Sequence, residues 1–73
     1  MRRLSELEPG DAATVIKVHG EGPLRRRLLD MGLIRGTVVT AVKRAPLGDP
    51  LELRIRGYEL SLRKAEAEAV EIG

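Results

Sequence analysis

Hydrophobic and polar residues alternate most cleanly along Leu51-Glu52-Leu53-Arg54-Ile55-Arg56. This pattern predicts a strand that turns Leu51, Leu53 and Ile55 inward and Glu52, Arg54 and Arg56 outward. Gly57 marks a turn or bulge, after which Tyr58, Leu60 and Leu62 predict a returning strand with those three side chains inward. Upstream, Ala12 to Val18 has β-branched character, with Ala12, Thr14, Ile16 and Val18 on one face and Ala13, Val15 and Lys17 on the other. Thr37 to Arg44 is apolar on both faces, Val38 and Val42 on one and Val39 and Ala41 on the other. Such a strand is either covered twice or bent between two sheets, and in so short a chain the bend is expected. Val70 and Ile72 close the pattern as a last short strand.

Between the first two strands the period changes from two to about 3.6. Leu24, Leu28 and Met31 recur at i, i+4 and i+7 and predict the buried stripe of a helix, with Arg25, Arg26 and Asp30 around the other side. Gly22-Pro23 suits its start and Gly32 its left-handed cap. Leu29 falls off the stripe, about 100° from Leu28. Single helical turns are expected at Leu4–Leu7 and Lys64–Ala67, and tight connections at Glu8–Asp11 and Ala45–Pro50, which carry Pro and Gly. Five short strands with one short α-helix inserted after the first predict a mainly β fold. A small SH3-like antiparallel barrel is the first choice and an OB-like barrel the second, since closure hides sheet edges.

At 73 residues the chain is one domain, 1–73. A chain of this size buries only about 60–65% of the surface its unfolded form exposes, so the core must be dense in aliphatics. Leu, Ile and Val supply nearly all the apolar volume; Phe and Trp are absent and Tyr58 is the one aromatic. There is little room for a walled substrate cavity, which argues for binding by surface. No Cys is present, so disulfide staples and Cys-based metal sites are excluded. The N-terminal residues do not read as a signal peptide, and no apolar run approaches the ~20 residues of a membrane span, so a cytoplasmic protein without membrane insertion is expected.

Little catalytic chemistry is on offer. The single His19, in the loop His19-Gly20-Glu21-Gly22, reads as an exposed loop histidine. Ser5 and Ser61 have no Ser/His/Asp logic. One His without Cys builds no zinc or iron cage, and Gly20-Glu21-Gly22 is not followed by the Gly-Lys-Ser/Thr of a phosphate-binding loop. The chain is therefore read as a non-enzyme with no catalytic residues, no cofactor and no resident metal. Net charge is only +2, but unevenly spread: Arg25 to Arg63 holds nine Arg or Lys against four Asp or Glu, while the last ten residues hold three Glu against Lys64. The run Arg25-Arg26-Arg27 radiates over about 200° of helix surface and makes no single phosphate clamp. Without aromatic stacking platforms, nucleic-acid binding is not expected either.

Four motifs stand in register over the whole chain: Leu4-Ser5-Glu6-Leu7 with Pro9-Gly10-Asp11; Leu28-Leu29-Asp30-Met31-Gly32-Leu33-Ile34-Arg35-Gly36; Ala45-Pro46-Leu47-Gly48-Asp49-Pro50; and Gly57-Tyr58-Glu59-Leu60-Ser61-Leu62-Arg63-Lys64-Ala65-Glu66-Ala67. Together they resemble the ferrous iron transport protein A (FeoA) family. The resemblance implies an SH3-type barrel in the cytoplasm that accompanies the membrane ferrous iron transporter FeoB, which carries a GTP-binding domain. A related barrel ends iron-dependent repressors of the diphtheria-toxin-repressor type, but no DNA-reading helical domain lies in these residues. An accessory role by protein contact is the expectation. The contact surface is assigned to Arg26, Leu29, Leu33 and Arg35, because Leu29 is apolar, off the stripe and flanked by arginines. The alternative for Leu29 is packing on the Ala45–Pro50 loop. The alternatives for the chain are a sensor barrel that binds a divalent metal itself, or a small nucleic-acid-binding barrel. An incompletely covered sheet edge leaves weak homo-oligomer formation open.

Overall fold

In the computed structural model, which describes residues 1–73, the sharpest alternation in the sequence becomes a strand, Leu51–Ile55, whose Leu51, Leu53 and Ile55 are wholly buried and whose Arg54 is exposed. In chain order the strands are β1 (Arg2–Arg3), β2 (Ala12–Val18), β3 (Val38–Arg44), β4 (Leu51–Ile55), β5 (Tyr58–Leu62) and β6 (Val70–Ile72). Helix α1 (Gly22–Asp30) follows β2, and the four-residue α2 (Lys64–Ala67) precedes β6. A 3-10 turn at Leu4–Glu6 buries Leu4, and Leu7 just beyond it is buried too. Arg44 ties this turn to β3 by donating from Nη2 to the carbonyls of Ser5 (2.6 Å) and Leu7 (2.7 Å).

All pairs are antiparallel and the strand order is β1-β6-β2-β3-β4-β5. The sequence-based expectation of five strands is thus exceeded by β1, which pairs Arg2 with Ile72 and Arg3 with Glu71. Two arginines carry no strand signal of their own, and this pairing is dictated from the far end of the chain.

Strand β2 serves two partners. Ala12, Ala13 and Thr14 pair with β3, whereas Val15, Lys17 and Val18 pair with β6, with a shift of register between Val15 and Lys17. Ile16 is the extra residue of that bulge, which bends the strand and resets its alternation. Ala13, Val15 and Val18 are consequently buried together, while Ile16 is 37% exposed. The expected face of Ala12, Thr14, Ile16 and Val18 does not form. Strand β3 alternates regularly at first, with Val39 and Ala41 buried and Val38 exposed, and its register then shifts between Ala41 and Lys43.

The hairpin β4–β5 turns on Arg56-Gly57, with Ile55 opposite Tyr58. Both turn residues have positive φ, 47° and 86°, as a two-residue turn matched to strand twist requires. Leu62 of β5 is buried and Leu60 partly so, but Tyr58 is 46% exposed rather than inward. Its hydroxyl instead donates to the Met31 carbonyl at the end of α1. The core is one cluster of sixteen buried residues, all of them Leu, Val, Ile or Ala, with Leu29, Met31, Leu60 and Ala69 packed around it.

Candidate functional site

Helix α1 lies against the stretch where β2 changes partners, and its C-terminal end fixes its position. The Gly32 N–H donates to the Leu29 carbonyl (3.0 Å) and the Leu33 N–H to the Leu28 carbonyl (3.2 Å). With Gly32 at φ +99°, this is the paired 5→2 and 6→1 arrangement of a Schellman motif, which folds the residue after the glycine back toward the third residue from the helix end. Those two residues are Leu33 and Leu28, and both are fully buried. Leu24, on the expected buried stripe, is 38% exposed. The nine-residue helix packs through its second half, and Leu28 and Leu29 both turn toward the body of the domain.

From the motif the chain runs beside β2. The Gly36 N–H donates to the Val15 carbonyl (2.8 Å), and the Val15 N–H donates to the Thr37 carbonyl (2.8 Å). Between this connection, α1 and the bulged half of β2 lies an open hollow of about 440 Å³, lined by Ile16, Lys17, Val18, Arg25, Leu29, Arg35 and Glu71. Its apolar lining comes from Ile16, Val18 and Leu29. Arg25 is drawn toward the strand, its Nε 3.4 Å from the Val18 carbonyl oxygen. Glu71, the only acid, is held by His19, whose Nε2 lies 2.9 Å from Glu71 Oε1. His19 is therefore part-buried and partnered, whereas the sequence predicts an exposed loop histidine. Neither Lys17, Arg25 nor Arg35 takes part in the His19–Glu71 contact or in the three ion pairs of the molecule, which are Arg27–Glu66, Lys43–Glu52 and Arg54–Glu59.

Of the four residues assigned to a contact surface, Leu29 and Arg35 share this hollow. Arg26 lies next door, in a smaller depression of about 240 Å³ formed with Gly22, Arg25, Leu29 and Asp30. Leu33 does not belong: it is 0% exposed, because the Schellman motif returns it to the core. The hollow beside Leu29 is lined from α1, β2, β6 and Arg35, and no residue of Ala45–Pro50 contributes. Lys17, Arg25 and Ile16 were missed as site residues. Strand alternation alone puts Lys17 on the β2 face opposite Ile16, and only the bulge brings the two to one hollow. No three His, Cys, Asp or Glu side chains are grouped so as to hold a metal ion, and no helix is long and apolar enough to cross a membrane.

The FeoA domain family model matches residues 2–73. The chain is 46% identical over 70 residues to an Fe(2+) transport protein A/Fe(2+) transporter FeoB fusion protein of Porphyromonas gingivalis; the match takes in 96% of this chain and 8% of that much longer protein. In structure it resembles an FeoA-like protein from Clostridium acetobutylicum, with TM-score 0.89 and 42% identity, covering 100% of this chain and 88% of that one. It also resembles FeoA from Stenotrophomonas maltophilia, described as a procaryotic SH3 domain protein complexed with zinc, with TM-score 0.89 and 30% identity, covering 100% and 91%. The antiparallel barrel is thus SH3-like, the first of the two architectures expected from the strand pattern.

Proposed function

The chain belongs to the FeoA family, and on that premise we propose that it serves ferrous iron uptake as a non-catalytic accessory protein of the transporter FeoB. It acts by protein–protein contact at the cytoplasmic face of the membrane. The observation that carries this reading is the fusion relative, in which a domain 46% identical to this chain is joined to the transporter in one polypeptide. A covalent link holds two domains at high effective concentration; separate chains must achieve the same proximity through a surface. The hollow beside α1 is the surface suited to that task. It sets aliphatic side chains within a rim of cations, the arrangement of an anchor with a polar border. Leu29 and Arg35 form its contact set together with Lys17 and Arg25, with Arg26 beside it; Leu33, wholly in the core, is not part of it.

The test is binding of the purified chain to detergent-solubilised FeoB from the same source, with and without GTP. Saturable binding is expected, and its nucleotide dependence identifies the transporter state recognised. The variants Leu29→Glu and Arg35→Glu are measured alongside, with circular dichroism to verify folding. Leu29 is partly buried, so Arg35→Glu, at an exposed position, keeps the test meaningful if the first variant unfolds. A folded chain that binds FeoB in neither nucleotide state refutes the accessory reading.

A further inference from the structure

The charge around the hollow specifies its occupant more narrowly. Lys17, Arg25 and Arg35 come from three separate segments, β2, α1 and the connection after the Schellman motif, yet line one depression. None has a carboxylate partner within the chain. The single acid present, Glu71, hydrogen-bonds His19 at 2.9 Å and stands opposite Lys17 in the β2–β6 ladder, so three cations face one carboxylate. A net positive cluster of this kind repels cationic partners and attracts anionic ones. Beneath it, Ile16, Val18 and Leu29 line the hollow with aliphatic surface. Ile16 is 37% exposed because it is the bulged residue of β2.

The aliphatic lining decides between anionic partners. A nucleic acid would need flat platforms for its bases, and the one aromatic, Tyr58, is bound instead to the Met31 carbonyl. A free phosphate or nucleotide phosphate gains nothing from Ile16 and Leu29. A peptide that carries both carboxylates and aliphatic side chains uses both parts of the surface. We propose that this hollow takes a short acidic segment of the partner protein, with carboxylates against Lys17, Arg25 and Arg35 and an aliphatic side chain seated on Ile16 and Leu29. The proposal rests on the reading that the chain docks on FeoB, and it adds the chemistry of the segment that does the docking.

The experiment uses the full chain and two readouts. In the first, a fluorescein-labelled synthetic peptide alternating leucine and glutamate is titrated by anisotropy, with an alternating leucine–lysine peptide and an oligothymidylate as comparisons. The acidic peptide is expected to bind, each of Lys17→Glu, Arg25→Glu and Arg35→Glu to weaken it about five- to tenfold, and Arg63→Glu, the same charge change away from the hollow, to leave it unchanged. Raising salt from about 50 to about 500 mM is expected to weaken binding while leaving a residual apolar component. In the second readout, the same variants are titrated against solubilised FeoB and are expected to lose affinity in the same order.

Tighter binding of the oligothymidylate or the leucine–lysine peptide overturns the proposal. So does equal weakening by Arg63→Glu, which would make the effect one of net charge. If wild type binds FeoB and the three hollow variants bind equally well, this proposal falls and the accessory reading stands. If wild type binds the acidic peptide in the expected pattern but not FeoB, the accessory reading falls and the chemistry of the hollow stands.

Discussion

Gly32 bears two separate demands, and a pair of substitutions separates them. Its φ is +99°, and a Cβ placed there would lie 2.7 Å from the Tyr58 hydroxyl oxygen. Gly10 has nearly the same φ, +94°, with nothing within 4 Å of a Cβ. Alanine at either position meets the left-handed backbone penalty, about 1 kcal/mol or somewhat more. At Gly32 alone the phenol must also retreat and give up its hydrogen bond to the Met31 carbonyl, which adds about 1 kcal/mol. Gly10→Ala is therefore expected to cost about 1 kcal/mol and Gly32→Ala about 2 kcal/mol. In a domain of this size the second loss lowers the thermal midpoint by roughly 8–16 °C.

The contact itself is isolated by repeating Gly32→Ala in a Tyr58→Phe background. Without the hydroxyl the nearest ring atom stands 4.0 Å from the new Cβ, an ordinary contact. The cost should fall to that of Gly10→Ala, giving a coupling of about 1 kcal/mol between positions 32 and 58. Urea unfolding followed by far-ultraviolet circular dichroism measures wild type and the four variants, and Tyr58, the only aromatic, adds an independent signal where it is retained. Equal costs for Gly32→Ala in both backgrounds would refute the argument: the backbone would then account for the whole effect and the phenol would not be pinned to the helix end.

Three further outcomes follow from the packing. Leu33→Ala should cost about 2–5 kcal/mol in urea unfolding, as for a leucine wholly inside a core, whereas a surface contact residue would lose under about 0.5 kcal/mol. Arg44→Ala removes two bonds from a charged donor to the Ser5 and Leu7 carbonyls and should cost about 2–3 kcal/mol, with amide exchange accelerating first in the Leu4–Leu7 segment. Arg56→Asn, at the one non-glycine residue with positive φ, should raise stability by about 0.5–1 kcal/mol, since Asn tolerates that conformation better and Asn-Gly suits a two-residue hairpin turn.

What could be read from the sequence divides along physical lines. Local periodicity was enough for β4, for the helix and for the hairpin, because Leu51, Leu53 and Ile55 alternate against charge and Gly32 ends a leucine-rich turn. The barrel followed from strand count and length. Distant pairing was not readable in this way. Nothing local in Arg2-Arg3 announces a strand, because its partners are Ile72 and Glu71. The bulge at Ile16 is equally silent, since Ala12 to Val18 scans as an unbroken strand and the register shift arises only when β6 docks. That one shift explains why Ile16 and Lys17, expected on opposite faces, line the same hollow. Leu33 is different: an apolar residue directly after a capping glycine is the sequence mark of the Schellman contact, so its burial was legible and was missed. Tyr58 was misread because alternation alone cannot tell an inward aromatic from one drawn sideways by a carbonyl.

The position of β6 between β1 and β2 has a consequence for the birth of the molecule. The meander β2-β3-β4-β5 joins neighbours in sequence and can zip up as it is synthesised. Its Val15–Val18 half must wait, with its edge bare, until Val70–Ile72 has left the ribosome and slid in between it and Arg2-Arg3. Completion of the barrel is thus a late, long-range strand insertion, of the kind that places small β domains in the millisecond-to-second range. Since Glu71 rides on that strand and the bulge at Ile16 is set by it, the hollow beside α1 matures last. A nascent chain has no finished hollow to offer a partner until its fold is closed.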